Sequence, residues 1–164
     1  DLHMSDSSTS TTATLKAPVP PPLLFFIILI AGVATAYFYP LGFLPEGLVL
    51  RLAFGLPLFG LAIVIGVSAL TAFRWSNTSA QFGEPVSSLV QRGPYRLSRN
   101  PLYVALLTVL LGFAFALNSG WLLIGFPILL LLLDRLVVRR EELFLSATFG
   151  AAYVSYRKQV RRWL

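Results

Sequence analysis

Glu141 and Glu142 stand side by side after Arg139 and Arg140, at the end of a long apolar run, in a chain of which only 12% is charged. Ionisable groups at membrane depth are costly, and those facing a bundle interior are functional candidates by default. A carboxylate there can accept hydrogen bonds from ammonium or hydroxyl groups, or take a proton from an amine. A second concentration of chemistry lies upstream in GPYRLSRNPLY, residues 93–103, where Tyr95, Asn100 and Tyr103 sit among Gly93, Pro94 and Pro101. Tyrosine rings attract cations, and the amide of Asn100 both donates and accepts. The candidate catalytic residues are therefore Glu141 and Glu142, with the two tyrosines and the loop amides opposite them.

The rest of the inventory narrows that chemistry. There is no Cys, which removes disulfides, thiolate nucleophiles and Cys-ligated zinc. The single histidine, His3, falls in DLHM, which reads as a cloning remnant ahead of a natural Met4. No metal site is expected. Residues 1–22, the remnant followed by SDSSTSTTATLKAPVPPP, have the composition of a disordered tail.

Positioning these groups falls to membrane helices. The chain is 56% hydrophobic with a mean hydropathy of +0.75, well above a soluble domain. Four segments supply the roughly 20 apolar residues that a spanning helix needs: Leu23 to Tyr39, Leu48 to Phe73, Leu102 to Leu117, and Trp121 to Val138. With the N-terminus cytoplasmic, all 13 Lys and Arg residues except Arg51 fall on the cytoplasmic side, as the positive-inside rule requires. That placement uses up the net charge of +6 and leaves no basic patch for nucleic acid. The expected fold is an all-α membrane protein with four transmembrane helices, both termini cytoplasmic, and a C-terminal amphipathic interfacial helix. Residues 23–73 form the first two spans, and 74–164 form a loop, a transmembrane hairpin and the C-terminal helix.

Several features fix how the parts meet. In the second span Gly55, Gly60 and Gly66 permit close helix approach and Pro57 invites a kink. Spans three and four are joined only by NSG, so they form a tight hairpin that brings Tyr103 close to the end of span four. The stretch 74–101 holds too many apolar groups for a plain linker and is expected to pack on the membrane face. Asp134 and Arg135, still within the apolar run, either pair with each other or let Arg135 snorkel. At about 100° per residue Leu145, Phe149, Tyr153, Tyr156, Val160 and Trp163 share one stripe, with Arg157, Lys158, Arg161 and Arg162 off it. Extending that stripe back along one unbroken helix puts Glu142 about 30° from its centre and Glu141 about 70°, which favours Glu142 as inward-facing. These placements imply a small polar pocket at the cytoplasmic rim, suited to a cationic cofactor from the cytosol and a lipophilic acceptor from the bilayer.

LVQRGPYRLSRNPLY, followed by EELFLSATFGAAYVSYRKQVRRWL, resembles the integral-membrane S-adenosylmethionine-dependent methyltransferases, the group of isoprenylcysteine carboxyl methyltransferases and phospholipid N-methyltransferases. The shared pattern is G-x-Y-x-x-x-R-[HN]-P-x-Y before a helical hairpin, then E-E-x-x-L, F-G-x-x-Y-x-x-Y and a basic end, and it covers roughly residues 75–164. The resemblance implies S-adenosylmethionine as methyl donor, contacted by Gln81, Ser87, Ser88, Leu89, Val90, Tyr95, Asn100, Pro101, Leu102, Tyr103 and Glu141. Gly93 and Pro94 would shape the turn and Arg99 would brace it. It also implies a lipophilic acceptor, a prenylcysteine-like carboxylate or a lipid amine, in a prokaryotic inner membrane with the site facing the cytoplasm. Methylation of a small thiol or amine, or a non-catalytic membrane scaffold of the same fold, are the alternatives. Two positions depart from the pattern. Asn100 replaces a frequent histidine, and Val137 stands where the prenylcysteine enzymes carry a substrate arginine, so Arg135, Arg139 or Arg140 would have to substitute. The resemblance turns Glu141, not Glu142, toward the donor.

Overall fold

The structure, a computed structural model, describes residues 19–75 and 89–164. Gln81, Ser87 and Ser88, with the rest of residues 76–88 of the loop expected on the membrane face, lie outside the described residues. Those described are helical: α1 Pro21–Phe38, α2 Leu48–Trp75, a short 3-10 turn Gly93–Arg96, α3 Pro101–Ala116, α4 Gly120–Leu132, a π-helical stretch Leu133–Val138, α5 Arg139–Phe149 and α6 Ala151–Gln159. Among the described residues there is no strand.

Three helical runs are long and apolar enough to cross a membrane: Pro21–Phe38, Leu48–Trp75 and the continuous run Gly120–Phe149. The expected third span is the shorter apolar helix α3, whose 16 residues extend about 24 Å at 1.5 Å per residue. Its burial explains how a short helix holds its place. Tyr103, Val104, Ala105, Leu107, Thr108, Leu110, Gly112 and Ala114 are all buried, because α3 packs along α2 on one side and α4 on another. The main core joins Leu107, Leu110 and Ala114 of α3 to Leu24 and Phe25 of α1 and to Leu122, Leu129, Leu133, Val137 and Val138.

Small residues set the α2–α3 distance. A Cβ at Gly55 would stand 3.0 Å from Ala116 Cβ and 3.2 Å from the Gly112 carbonyl, so the backbones meet there, and Phe59 lies against Gly112. Gly60 has open space around it, and Gly66 approaches only Ala105. Of the three glycines, Gly55 thus makes the close approach.

The predicted hairpin forms through Leu117–Ser119. Asn118 takes up a left-handed φ of 48°, a conformation that asparagine tolerates better than most residues. Its side chain accepts from the N–H groups of Phe43 and Leu44 and donates to the Leu44 carbonyl. Trp121 Nε1 donates to the Tyr39 carbonyl at 2.6 Å. These bonds fasten the α1–α2 connection to the α3–α4 turn.

Two features differ from the sequence reading. The fourth helix does not stop at Val138 but passes through a π-helical stretch into α5; such widened turns redirect the downstream helix and recur at functional sites. The single C-terminal amphipathic helix is two helices, broken at Gly150, whose φ of 50° and ψ of −123° are glycine territory. The stripe still turns inward at Tyr153 and Tyr156, which are buried.

Candidate functional site

The 3-10 turn places Tyr95. Its ring packs edge-on against Phe73 at 5.1 Å in a small second core with Ala69, Ala72 and Val90. Leu102 joins that core from α3, so Val90 and Leu102 pack together behind Tyr95. The Tyr95 carbonyl accepts a 2.7 Å hydrogen bond from the Tyr156 hydroxyl, tying the turn to α6. Burial, then Tyr156 and Glu141, hold the Tyr95 hydroxyl far above the usual phenol range, and burial pushes Tyr156 up to about 12. Both are neutral phenols at physiological pH.

Pro101, whose missing N–H is no loss at a helix start, opens α3 and puts Tyr103 in its first turn. There the Tyr103 hydroxyl donates to Glu141 Oε1 at 2.6 Å. Tyr103 and Glu141 thus meet across the hairpin, and Tyr95 lies within electrostatic reach of the same carboxylate. Among the described residues Glu141 has no cationic partner, and its second oxygen has no hydrogen bond.

Glu142 is used differently. It is 7% exposed and holds Arg99 Nη1 at 2.7 Å together with Arg162, through Nε at 3.0 Å and Nη2 at 2.7 Å. Arg99 thereby ties the segment just before α3 to α5. Asp134 does not pair with Arg135, which is exposed. It binds Arg139 at 3.2 Å and Arg162 at 3.1 Å and accepts from the Trp163 indole at 3.3 Å. Arg139 is therefore engaged at the surface and Arg140 is exposed, so neither meets Tyr103 or Glu141. The neighbouring acids, Glu142 first, raise the Arg162 guanidinium further above its ordinary range.

Asn100 also faces elsewhere: its Nδ2 donates to the Arg162 carbonyl at 2.9 Å. Val137 is fully buried in the core, so no polar group replaces the absent arginine at that position. Ser98, Arg162 and Trp163 are the site's unforeseen members. α6 ends at Gln159 and Val160 is extended, so helical periodicity no longer governs where Arg162 points. The sequence signal for it was Asp134, an acid inside an apolar run, whose expected partner was Arg135.

Among the groups brought together, a carboxylate with one oxygen held by a phenol and no counter-cation can take an ammonium or hydroxyl donor. No solved structure matches the chain. An uncharacterized protein of Haemophilus influenzae is 35% identical over 63 residues, 38% of this chain and 100% of that protein. The phospholipid methyltransferase family model matches residues 50–152, a range that contains Tyr95, Tyr103, Glu141 and Glu142. With its apolar spanning helices, the chain is an integral membrane protein and belongs to the phospholipid methyltransferase family.

Proposed function

We propose that the protein transfers a methyl group from S-adenosylmethionine to a lipophilic acceptor at the cytoplasmic face of the membrane. The observation that carries this reading is the Tyr103–Glu141 pair at 2.6 Å, beside a buried Tyr95 and, among the described residues, with no cation on Glu141. The residues fit a donor of that chemistry: a carboxylate open to an ammonium or ribose hydroxyl, and two neutral phenol rings beside it. Glu142 and Asp134, already neutralised by arginines, are unsuited to the task. S-adenosylmethionine, when bound, supplies an electrophilic methyl group on a sulfonium.

The chain's contribution is alignment and dryness. Glu141, oriented by the Tyr103 hydroxyl, anchors the donor's polar end, and Tyr95 and Tyr103 line its cationic centre. Leu102 and Val90 back the wall against α2 and keep water out. The exposed apolar flanks of α1 and α2, such as Ile27, Ile30, Ile63 and Val64, present a bilayer-facing approach for an acceptor with a lipid tail. A lipid amine suits the site better than a carboxylate. Val137 is apolar and buried, Arg139 is held by Asp134, and Glu141 is the carboxylate that, among the described residues of the site, is free of a counter-cation and can take a proton.

Calorimetric titration of S-adenosylmethionine into the purified protein tests the reading, with Glu141→Gln and Tyr103→Ala as variants. Binding by the wild type, weakened in both variants, is expected. Absence of binding at millimolar ligand by folded protein would sink it.

A further inference from the structure

The family match stops at residue 152, yet the segment after α6 reaches back into the site. Arg99 donates its backbone N–H to the Arg161 carbonyl at 2.9 Å. The Arg162 carbonyl accepts from Asn100 Nδ2 at 2.9 Å and from Ser98 Oγ at 3.3 Å. The side chain of the same residue bridges the opposite wall, forking onto Glu142 at 3.0 and 2.7 Å and reaching Asp134 at 3.1 Å. Trp163 donates to that Asp134 oxygen and packs on the main core. Arg162 therefore ties the loop that opens α3 by its backbone, and the π-helical stretch and α5 by its side chain.

Both tethered points sit beside the Tyr103–Glu141 contact. The Tyr103 N–H bonds the Asn100 carbonyl at 3.0 Å, and Glu141 is the chain neighbour of Glu142. Arg162 thus fixes the two ends of that contact without touching either side chain. It also occupies Glu142 and Asp134, carboxylates that would otherwise compete with Glu141 for a cationic ligand.

We propose that Arg162, aided by Trp163, is a positioning strap that holds the two walls of the donor site in register and leaves Glu141 as its available carboxylate, a role that rests on the donor reading above. A bidentate guanidinium fork is geometry that lysine cannot reproduce. Arg162→Ala is expected to weaken S-adenosylmethionine binding about tenfold in calorimetry, the size of one lost charge-assisted contact, with Arg162→Lys in between. Trp163→Phe, which removes only the indole donor, serves if Arg162→Ala does not stay folded, and is expected to weaken binding about threefold.

Two further readouts separate positioning from general stability. In a Tyr103→Phe background the effect of Arg162→Lys on Kd should shrink, because the contact that the strap positions is already gone; fully additive effects overturn the proposal. In ligand-free protein, hydrogen exchange at the Arg99, Tyr103 and Val104 amides should quicken in Arg162→Lys while α1 and α2 are unchanged. Unchanged Kd together with unchanged exchange overturns the strap. If the wild type fails to bind, the donor reading falls by itself, and the exchange pattern alone decides whether Arg162 holds the two walls.

Discussion

Glu141 and Glu142 are adjacent in the chain but about 100° apart around a helix, and that rotation assigns them different partners. Glu142 faces Arg99 and Arg162 with its side chain 9% exposed, whereas Glu141 accepts one phenolic hydrogen bond. Breaking a buried, doubly paired carboxylate leaves two guanidinium groups without their counter-charge. Glu142→Gln is therefore expected to lower unfolding stability by about 3 kcal/mol. Glu141→Gln, which keeps an acceptor for Tyr103, should lower it by less than about 1 kcal/mol while weakening donor binding. Denaturant unfolding in detergent micelles, run beside calorimetry, separates the two effects; equal stability losses would mean that the glutamates share one environment. The two sequence signals pointed to different glutamates. Periodicity along one unbroken helix favoured Glu142 as inward-facing, and the family pattern favoured Glu141 toward the donor. The break at Gly150 removes the premise of the first. The partners of Glu142 were not legible, because the contact with Arg162 spans 20 residues across a break at Gly150 and an extended Val160. No local repeat encodes such a contact.

At the scale of elements, the hairpin and the α2–α3 contact carry the site, and each traces to a few residues. The NSG connection forced α3 and α4 together, and with them Tyr103 and Glu141. The glycines of α2 predicted close packing but not which of them makes it, since that depends on the partner helix facing each one. Gly55 meets backbone, and Gly60 meets nothing within 4 Å. Gly55→Leu should thus cost about 1–3 kcal/mol by overpacking. Gly60→Ala should be neutral or gain about 0.5–1 kcal/mol from helix propensity. Thermal melts of the two variants in the same micelle check this, and a Gly55→Leu protein as stable as wild type would contradict the observed approach. The π-helical stretch was invisible beforehand because LDRLVV has no breaker in it; it is set by tertiary fit. It adds a widened turn just before α5, and a widened turn shifts where the residues after it, the Glu pair included, fall around the helix.

For the whole molecule, the contacts at the two ends of α3 define a sidedness. At one end Asn118 is bonded to Leu44, so the α1–α2 connection and the hairpin turn share a side. At the other, Tyr95 lies on Phe73 and is tied to α6 through Tyr156, so the end of α2, the start of α3 and α6 share the opposite side. Among the described residues Arg51, at the start of α2, is the one basic residue near the first of these ends, and Arg92, Arg96, Arg99, Arg157 and Lys158 all lie near the second. By the positive-inside rule, charge asymmetry of that kind predicts a cytoplasmic basic end. The chain has no Cys, so single cysteines report sidedness without background. In intact cells, a membrane-impermeant maleimide should label Glu46→Cys directly. It should reach Lys158→Cys only after permeabilisation, since both positions are exposed in the fold and only the bilayer separates them from the reagent. Labelling of both from one side would leave an odd number of crossings between residues 46 and 158 untenable. It would overturn the arrangement in which α2, α3 and α4 run between opposite sides, and with it the placement of the Tyr103–Glu141 site on the face to which the donor has access.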